Sequence, residues 1–371
     1  MIGFAHRRHM TGGFWEDKRS DIHGIATLDQ HVLSDMLTDL CGNYQYKTGQ
    51  EQGGVDIRMK FGLQHPNFTY DGEDSRLVDG LKKVVTQAED LDFDSFWVMD
   101  HFHQIEYVGQ PGEPMLEGWT TQAVVAGLTS RIKIGTLVTG IVYRHPAVLA
   151  KIGATLDVLS KGRLFMGIGA AWNVEEAAAY GIPFPATKER MQRLEEAVQI
   201  IHKMWTEDRT TFEGKFYKIK DAYCNPKPIQ KPRPPIMIGG GGERMTLKIA
   251  AKYADACNVF GSADTVRRKL KILHEHCQAA GRDYDSILKT KLGHVIIDKD
   301  RDRLKTKLTE ALRGIPEERL KEFATYGTPE ELRHQVEQLR DAGVEYLIVN
   351  LDPKEEFEAL ELFSKEVVRK F

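Results

Sequence analysis

Asp100-His-Phe-His103, in a chain of 371 residues, sets one acid and two imidazoles within four positions. Imidazole titrates near neutral pH, so His101 suits proton transfer, and Asp100 is placed to orient a neighbouring polar group. The plain alternative is a histidine that satisfies a loop carbonyl. His-x-His also admits a metal-dependent hydrolase, in which two imidazoles share an ion with further His, Lys or Asp ligands from later strands. Here His145 opens a helical pattern and His294 falls inside a strand-like run. Neither makes a convincing third ligand, so the site is read without a metal.

Two glycine-rich stretches are candidate ligand contacts. Gly239-Gly-Gly-Gly242-Glu-Arg-Met runs into a helical pattern at 247–253, which exposes backbone N–H groups at a positive helix end. That is a phosphate cradle; the alternative is a flexible turn, for which four glycines carry a high entropic cost. Gly167-Ile-Gly-Ala-Ala-Trp-Asn173 lets a ligand approach the backbone at its small residues, and the Asn173 amide suits a ring carbonyl or phosphate. It is not a dinucleotide fingerprint, because the third glycine is missing and no helix is expected at once. Ile132-Lys-Ile-Gly-Thr-Leu-Val-Thr-Gly140 offers no acid, base or nucleophile. Its small and branched residues suit either the wall of a flat ring or plain core. Trp97, Trp119, Phe61 and Phe96 are read as core.

These residues need elements to hold them. Strand-like runs fall at 60–64, 95–99, 132–138, 164–168, 235–238, 256–260, 289–297 and 346–351, most of them apolar on both faces, as buried parallel strands are. Amphipathic patterns lie between them, including Leu77, Leu81, Val84, Val85, Ala88 and Leu91, and Leu194, Ala197, Val198, Ile201 and Trp205. Thr328-Pro-Glu-Glu331 is a helix start, and Asp341-Ala-Gly343 ends that helix. Lys161-Gly-Arg163 is a glycine turn. Eight strands with alternating crossovers predict a (β/α)8 TIM barrel with insertions at 172–186 and 207–234; an open doubly wound sheet is the alternative. The second insertion contains a hairpin around Glu213-Gly214. In such a barrel the residues just after each strand form the active-site mouth, which is where His101, Asn173 and the glycine run fall.

Residues 1–58 lack a sustained period apart from a short helical pattern at 27–40. They are read as a poorly ordered extension or as preceding a true start at Met59, and 59–371 as the catalytic domain. The net charge of -3 and a pI near 6.5 give no basic footprint for nucleic acid. No apolar run is long enough to span a bilayer. Cys41, Cys224, Cys257 and Cys277 are scattered without C-x-x-C spacing, which fits a reducing cytoplasm.

Seven segments occur in one order: Phe96-Trp-Val-Met-Asp-His-Phe102, Gly118-Trp-Thr-Thr121, Ile134-Gly-Thr-Leu-Val-Thr139, Tyr143-Arg-His-Pro-Ala147, Leu159-Ser-Lys-Gly-Arg163, Gly167-Ile-Gly-Ala-Ala-Trp-Asn173 and Ile238-Gly-Gly-Gly-Gly242. Over 59–371 this succession resembles the bacterial luciferase-like superfamily, and within it the oxidoreductases that use the deazaflavin coenzyme F420. The resemblance implies a barrel with the ring system at its C-terminal mouth. It places Asp100 beside the ring and makes His101 the proton acceptor or donor. It puts a non-proline cis peptide among Leu137, Val138 and Thr139, which press on the middle ring. Asn173 contacts the cofactor, and Gly241, Gly242 and Glu243 hold its phosphate through backbone N–H groups. The implied reaction moves a hydride between the deazaflavin C5 and a small organic substrate, and a homodimer is usual. FMN-dependent monooxygenases share the barrel and the phosphate handle, and a non-catalytic flavin-binding protein is the reading from another class. The sugar-phosphate dehydrogenase branch carries an acidic residue near the position of Trp172, a departure that points away from that substrate. Substrate choice is expected to rest on the two insertions and on Gln64-His-Pro-Asn67.

Overall fold

The computed structural model describes residues 58–70, 76–106, 108–312, 320–351 and 356–371. Apart from Arg58, the expectations for 1–58 concern residues outside these. The first half of the fold runs β1 (Lys60–His65), α1 (Leu77–Asp90), β2 (Ser95–Val98), α2 (Gly118–Leu128), β3 (Lys133–Thr136), β4 (Thr139–Gly140), α3 (Pro146–Leu159), β5 (Met166–Gly169), α4 (Val174–Ala179) and α5 (Thr187–Thr206). An antiparallel pair, β6 (Arg209–Glu213) and β7 (Lys218–Tyr223), follows. The second half runs β8 (Ile236–Gly239), α6 (Thr246–Tyr253), β9 (Ala256–Val259), α7 (Ala263–Ala280), β10 (Leu288–Ile297), α8 (Arg301–Leu312), β11 (Ala324–Gly327), α9 (Pro329–Asp341), β12 (Tyr346–Asn350) and α10 (Glu356–Glu366).

Parallel pairing gives the order β3-β2-β1-β12-β10-β9-β8-β5-β4. One parallel bridge between Ile134 and Leu164 completes the ring, with Ile134 N donating to Arg163 O at 2.9 Å and Phe165 N to Ile134 O at 2.8 Å. The expected barrel is therefore present, and it departs from the sequence reading in two places. The expected strand 132–138 breaks after Thr136: the Leu137–Val138 peptide bond is cis, at the place where the family resemblance implies a non-proline cis peptide, and the chain resumes as β4, paired with β5. β11 was not expected. It pairs with the far end of β10, a ten-residue strand that extends beyond its pairing with β12.

Alternation along the strands sorts the core into two layers. Trp97, Phe165, Met237, Tyr346 and Ile348 pack inside the barrel. Phe61, Leu63, Phe96 and Val98 face the helices and join the larger apolar cluster. The turn at Lys161-Gly162 uses φ angles of 57° and 80°, and the Arg163 side chain then takes up the carbonyls of Ala126 at 2.7 Å and Thr129 at 3.1 Å at the end of α2. Thr328 and Glu331 form a capping box with Pro329 in the first turn of α9, and Gly343, at φ 99°, follows its end.

The β6–β7 hairpin forms where it was expected. Glu196 of α5 accepts from the N–H groups of Lys215, Phe216 and Tyr217 at 2.8–3.1 Å, and the Tyr217 ring meets His145 at 5.4 Å. The hairpin thus lies against α5 and the start of α3, outside the ring of strands. Among the described residues no helix is long and apolar enough to cross a membrane.

Candidate active site

His101 lies in the loop after β2, three residues past Val98, and its side chain is 12% exposed. Its Nδ1 lies 2.8 Å from Oε2 of Glu176, and its ring stands edge-on to Trp172 with centroids 5.5 Å apart. Glu176 comes from the first turn of α4. Asn173 caps that helix by accepting from the Glu176 N–H at 3.1 Å, which fixes where the glutamate backbone sits. The Glu176 side chain is fully buried and accepts from four donors. Oε2 takes His101 and the Tyr143 hydroxyl at 2.5 Å, while Oε1 takes Phe102 N at 2.5 Å and His103 N at 3.3 Å. Burial pushes its carboxyl pKa up, but the bonds from His101, Tyr143 and Phe102 outweigh it and bring the value down to about 2. Burial, and then the bond to Glu176, drive the Tyr143 phenol well above its ordinary range. That phenol stays protonated and donates.

Asp100 is 1% exposed and sits behind the same loop. Arg144 grips it with two bonds, Nη1 to Oδ2 at 2.6 Å and Nη2 to Oδ1 at 2.9 Å, and also contacts Glu117. Burial pushes the Asp100 carboxyl up against the pull of Arg144. Burial also works against the guanidinium, yet Asp100 and Glu117 more than offset it and hold it charged. Glu117 caps α2 through Thr120 N at 2.6 Å, so the cluster ties the β2 loop, the β4–α3 loop and α2 together. Gly118 must be small there: a Cβ would fall 2.9 Å from Met99 O.

The cis peptide forms the next part of the mouth. Thr139 is buried against α2, with its Oγ1 accepting from Trp119 Nε1 at 2.9 Å and bonded to Thr136 Oγ1 at 2.7 Å. Leu137 is 6% exposed, and its carbonyl accepts from Gln64 Nε2 at 3.1 Å. Gln64 in turn accepts from Asn350 Nδ2 at 3.0 Å, and Asn350 Oδ1 meets His294 Nδ1 at 2.7 Å. Val138 fills the space that Gly169 and Gly239 leave open, since a Cβ on either would come within 2.8 Å of it. His65 is buried against the Tyr70 hydroxyl at 2.7 Å, a packed position.

Gly239 leads into the glycine loop. Gly240 takes φ 125°, which favours glycine, and its N–H donates to Asn258 O at 3.1 Å. Among the described residues, the N–H groups of Gly241, Gly242 and Glu243 are taken by no carbonyl or side chain. A Cβ on Gly241 would meet Lys269 Nζ at 2.5 Å, so the loop and an ammonium share one small volume. Arg268 pairs with the Glu243 carboxylate, and His276 Nε2 contacts Glu243 O at 2.8 Å. Unsatisfied N–H groups beside a lysine are the donor set that a phosphate requires, so the residues present fit a phosphate-bearing cofactor.

Sequence reasoning singled out His101, Asp100 and Asn173, and the structure joins them through side chains that it passed over. Glu176 links His101 to the helix that Asn173 caps, Arg144 anchors Asp100, and Lys269 faces the glycine loop. The spacing Asn173-x-x-Glu176 is itself a helix-start signal, and α4 follows Asn173 directly where no helix was expected. His101 is committed to Glu176, and His103 Nδ1 lies 3.1 Å from the Gln104 carbonyl.

These features define a (β/α)8 barrel whose polar side chains gather at the C-terminal strand ends. The chain belongs to the luciferase-like monooxygenase family, whose sequence profile matches residues 59–315. It is 37% identical over 216 residues to an F420-dependent glucose-6-phosphate dehydrogenase from Kineococcus radiotolerans, a match covering 57% of this chain and 61% of that protein. A protein of the same name from Microbacterium testaceum is 31% identical over 325 residues, covering 85% of this chain and 86% of the relative. Among solved structures, the coenzyme F420-dependent tetrahydromethanopterin reductase of Methanopyrus kandleri superposes with a TM-score of 0.71 at 22% identity, covering 85% of this chain and 99% of that one. At that identity the likeness speaks for the fold.

Proposed function

We propose that residues 59–371 form the catalytic domain of an oxidoreductase that uses coenzyme F420 on a small organic substrate, as a homodimer in the cytoplasm. The observation that carries the reading is His101, held by Glu176 at the mouth of a barrel whose relatives are named F420-dependent dehydrogenases. When bound, the deazaflavin supplies a two-electron hydride acceptor or donor at its C5. The backbone N–H groups of Gly241, Gly242 and Glu243 hold its phosphate, with Lys269 adding charge. Leu137, Val138 and Thr139 back the ring, and Asn173 and Asp100 border it through the segments they anchor. His101 accepts the hydroxyl proton of an alcohol while the carbinol carbon is oxidised to a carbonyl, and returns it in the reverse direction. Trp172, half exposed beside His101, offers an apolar shelf for the rest of the substrate.

Parallel titration of the purified protein with coenzyme F420 and with FMN, followed by cofactor fluorescence, tests this. Tight binding of the deazaflavin is expected, and His101→Ala should retain binding while losing turnover on the order of 10²-fold or more. Preference for FMN would overturn the cofactor and point to oxygen-dependent monooxygenation. Turnover unchanged in His101→Ala would remove the acid/base role.

A further inference from the structure

We propose that Glu176 is a positioning residue that fixes His101 as the Nδ1–H tautomer, leaving Nε2 as the nitrogen that exchanges the proton with substrate. The catalytic half rests on the function proposed above; the tautomer does not. An ionised carboxylate only accepts hydrogen bonds, and Tyr143, which shares Oε2, donates to it. The 2.8 Å contact therefore requires a proton on Nδ1. The carboxylate cannot turn away, because Phe102 N and His103 N occupy the other oxygen. The depressed Glu176 pKa keeps it in the accepting form throughout the neutral range. The charged and titratable groups nearby are Tyr143 and Arg144 from the β4–α3 loop, Asp100 and His103 from the loop of His101 itself, and Glu117 at the start of α2. Arg144 is taken up by Asp100 and Glu117, which leaves Glu176 as the anion that His101 meets. In the exchange, the substrate O–H bond breaks as Nε2–H forms, and the resulting imidazolium sits against the Glu176 carboxylate. No proton passes to Glu176.

Glu176→Gln makes the argument sharp. The Phe102 and His103 N–H groups would hold the amide oxygen and turn the NH2 group towards His101. Nδ1 would then have to accept, which moves the ring proton to Nε2 and removes the base. Nitrogen-15 NMR of the histidine rings reads this directly on the full chain without cofactor, at a pH where the ring carries one proton. The His101 signals are assigned by their loss in His101→Ala. The wild-type protein should show a protonated Nδ1 and a bare Nε2, and Glu176→Gln the reverse. Turnover with F420 should fall on the order of 10²-fold in kcat with KM little changed, and Glu176→Asp should restore the wild-type tautomer and part of kcat. A wild-type ring protonated at Nε2 would overturn the proposal. So would Glu176→Gln with unchanged kcat. Failure to bind F420 alongside the expected tautomer would sink the cofactor reading alone.

Discussion

Glu176 and Arg144 are both charges buried beside a partner, and each makes a stability prediction. The Glu176 carboxyl lies near 2 in the folded protein against an ordinary value of 4.5. Its contribution is complete above about pH 4.5 and disappears as the pH falls towards 2, on the order of 3 kcal/mol in all. Acid unfolding of Glu176→Gln should therefore be flatter across that window than that of the wild type; an identical acid limb would show that the four donors contribute nothing. Arg144→Ala leaves Asp100 buried without its counter-charge, at a cost of about 3–5 kcal/mol in urea unfolding. Adding Asp100→Asn should recover part of that loss, because the unpaired charge is removed with it. Additive losses in the double variant would contradict the pairing. His101 was legible at this scale because a strand end and an imidazole coincide in the sequence. Glu176 was not: a glutamate in a stretch read as an insertion has no periodicity to mark it, and its partners lie 33 to 75 residues away.

At the scale of elements, the mouth depends on close approach between β4, β5 and β8. Gly239→Ala would drive a Cβ to within 2.7 Å of Val138 and displace that side chain from the wall. F420 affinity should drop at least tenfold in Gly239→Ala, and Val138→Ala on the same background should restore much of it. A fluorescence titration reads both variants, and no recovery would show that the loss arises in the glycine loop instead. Glu196→Ala tests the hairpin. Its three N–H donors lose their acceptor, so limited proteolysis should cut near 214–217 while F420 affinity stays unchanged. The hairpin was visible in the sequence through its alternation around Glu213-Gly214. Its position against α5 was not, because Glu196 looks like any solvent-facing helix residue. This placement also bears on the expectation that the second insertion shapes substrate choice, since the segment packs on helices outside the strand ring. The strand after Thr136 misled for a different reason. A run of small and branched residues reads as one strand whether or not the backbone turns within it, and β11 is four residues long with a glycine at its end.

For the molecule as a whole, the order of parallel strands followed from alternating strands and helices, and the barrel reading needed no residue-level detail. What the pattern did not carry is how unevenly the ring is fastened. β1 and β12 are in register over four residue pairs, from Lys60–Tyr346 to Leu63–Val349, whereas β3 meets the chain before β5 at the single bridge Ile134–Leu164 and pairing resumes only past the cis peptide, where Thr139 and Gly140 of β4 meet Ile168 and Gly169. Hydrogen exchange should show the Ile134 and Phe165 amides opening before those of β1, and equal protection would mean that side-chain packing holds this edge as firmly as pairing holds the other. Directly beyond that bridge lie Leu137 and Val138, the residues proposed to rest against the ring of the cofactor. A ligand seated there would act as a rivet across the interrupted join of the cylinder, between the bridge at Ile134 and the β4–β5 pairs. Occupancy would then register as slower exchange at Ile134 and Phe165, on strands that need not touch the ligand themselves.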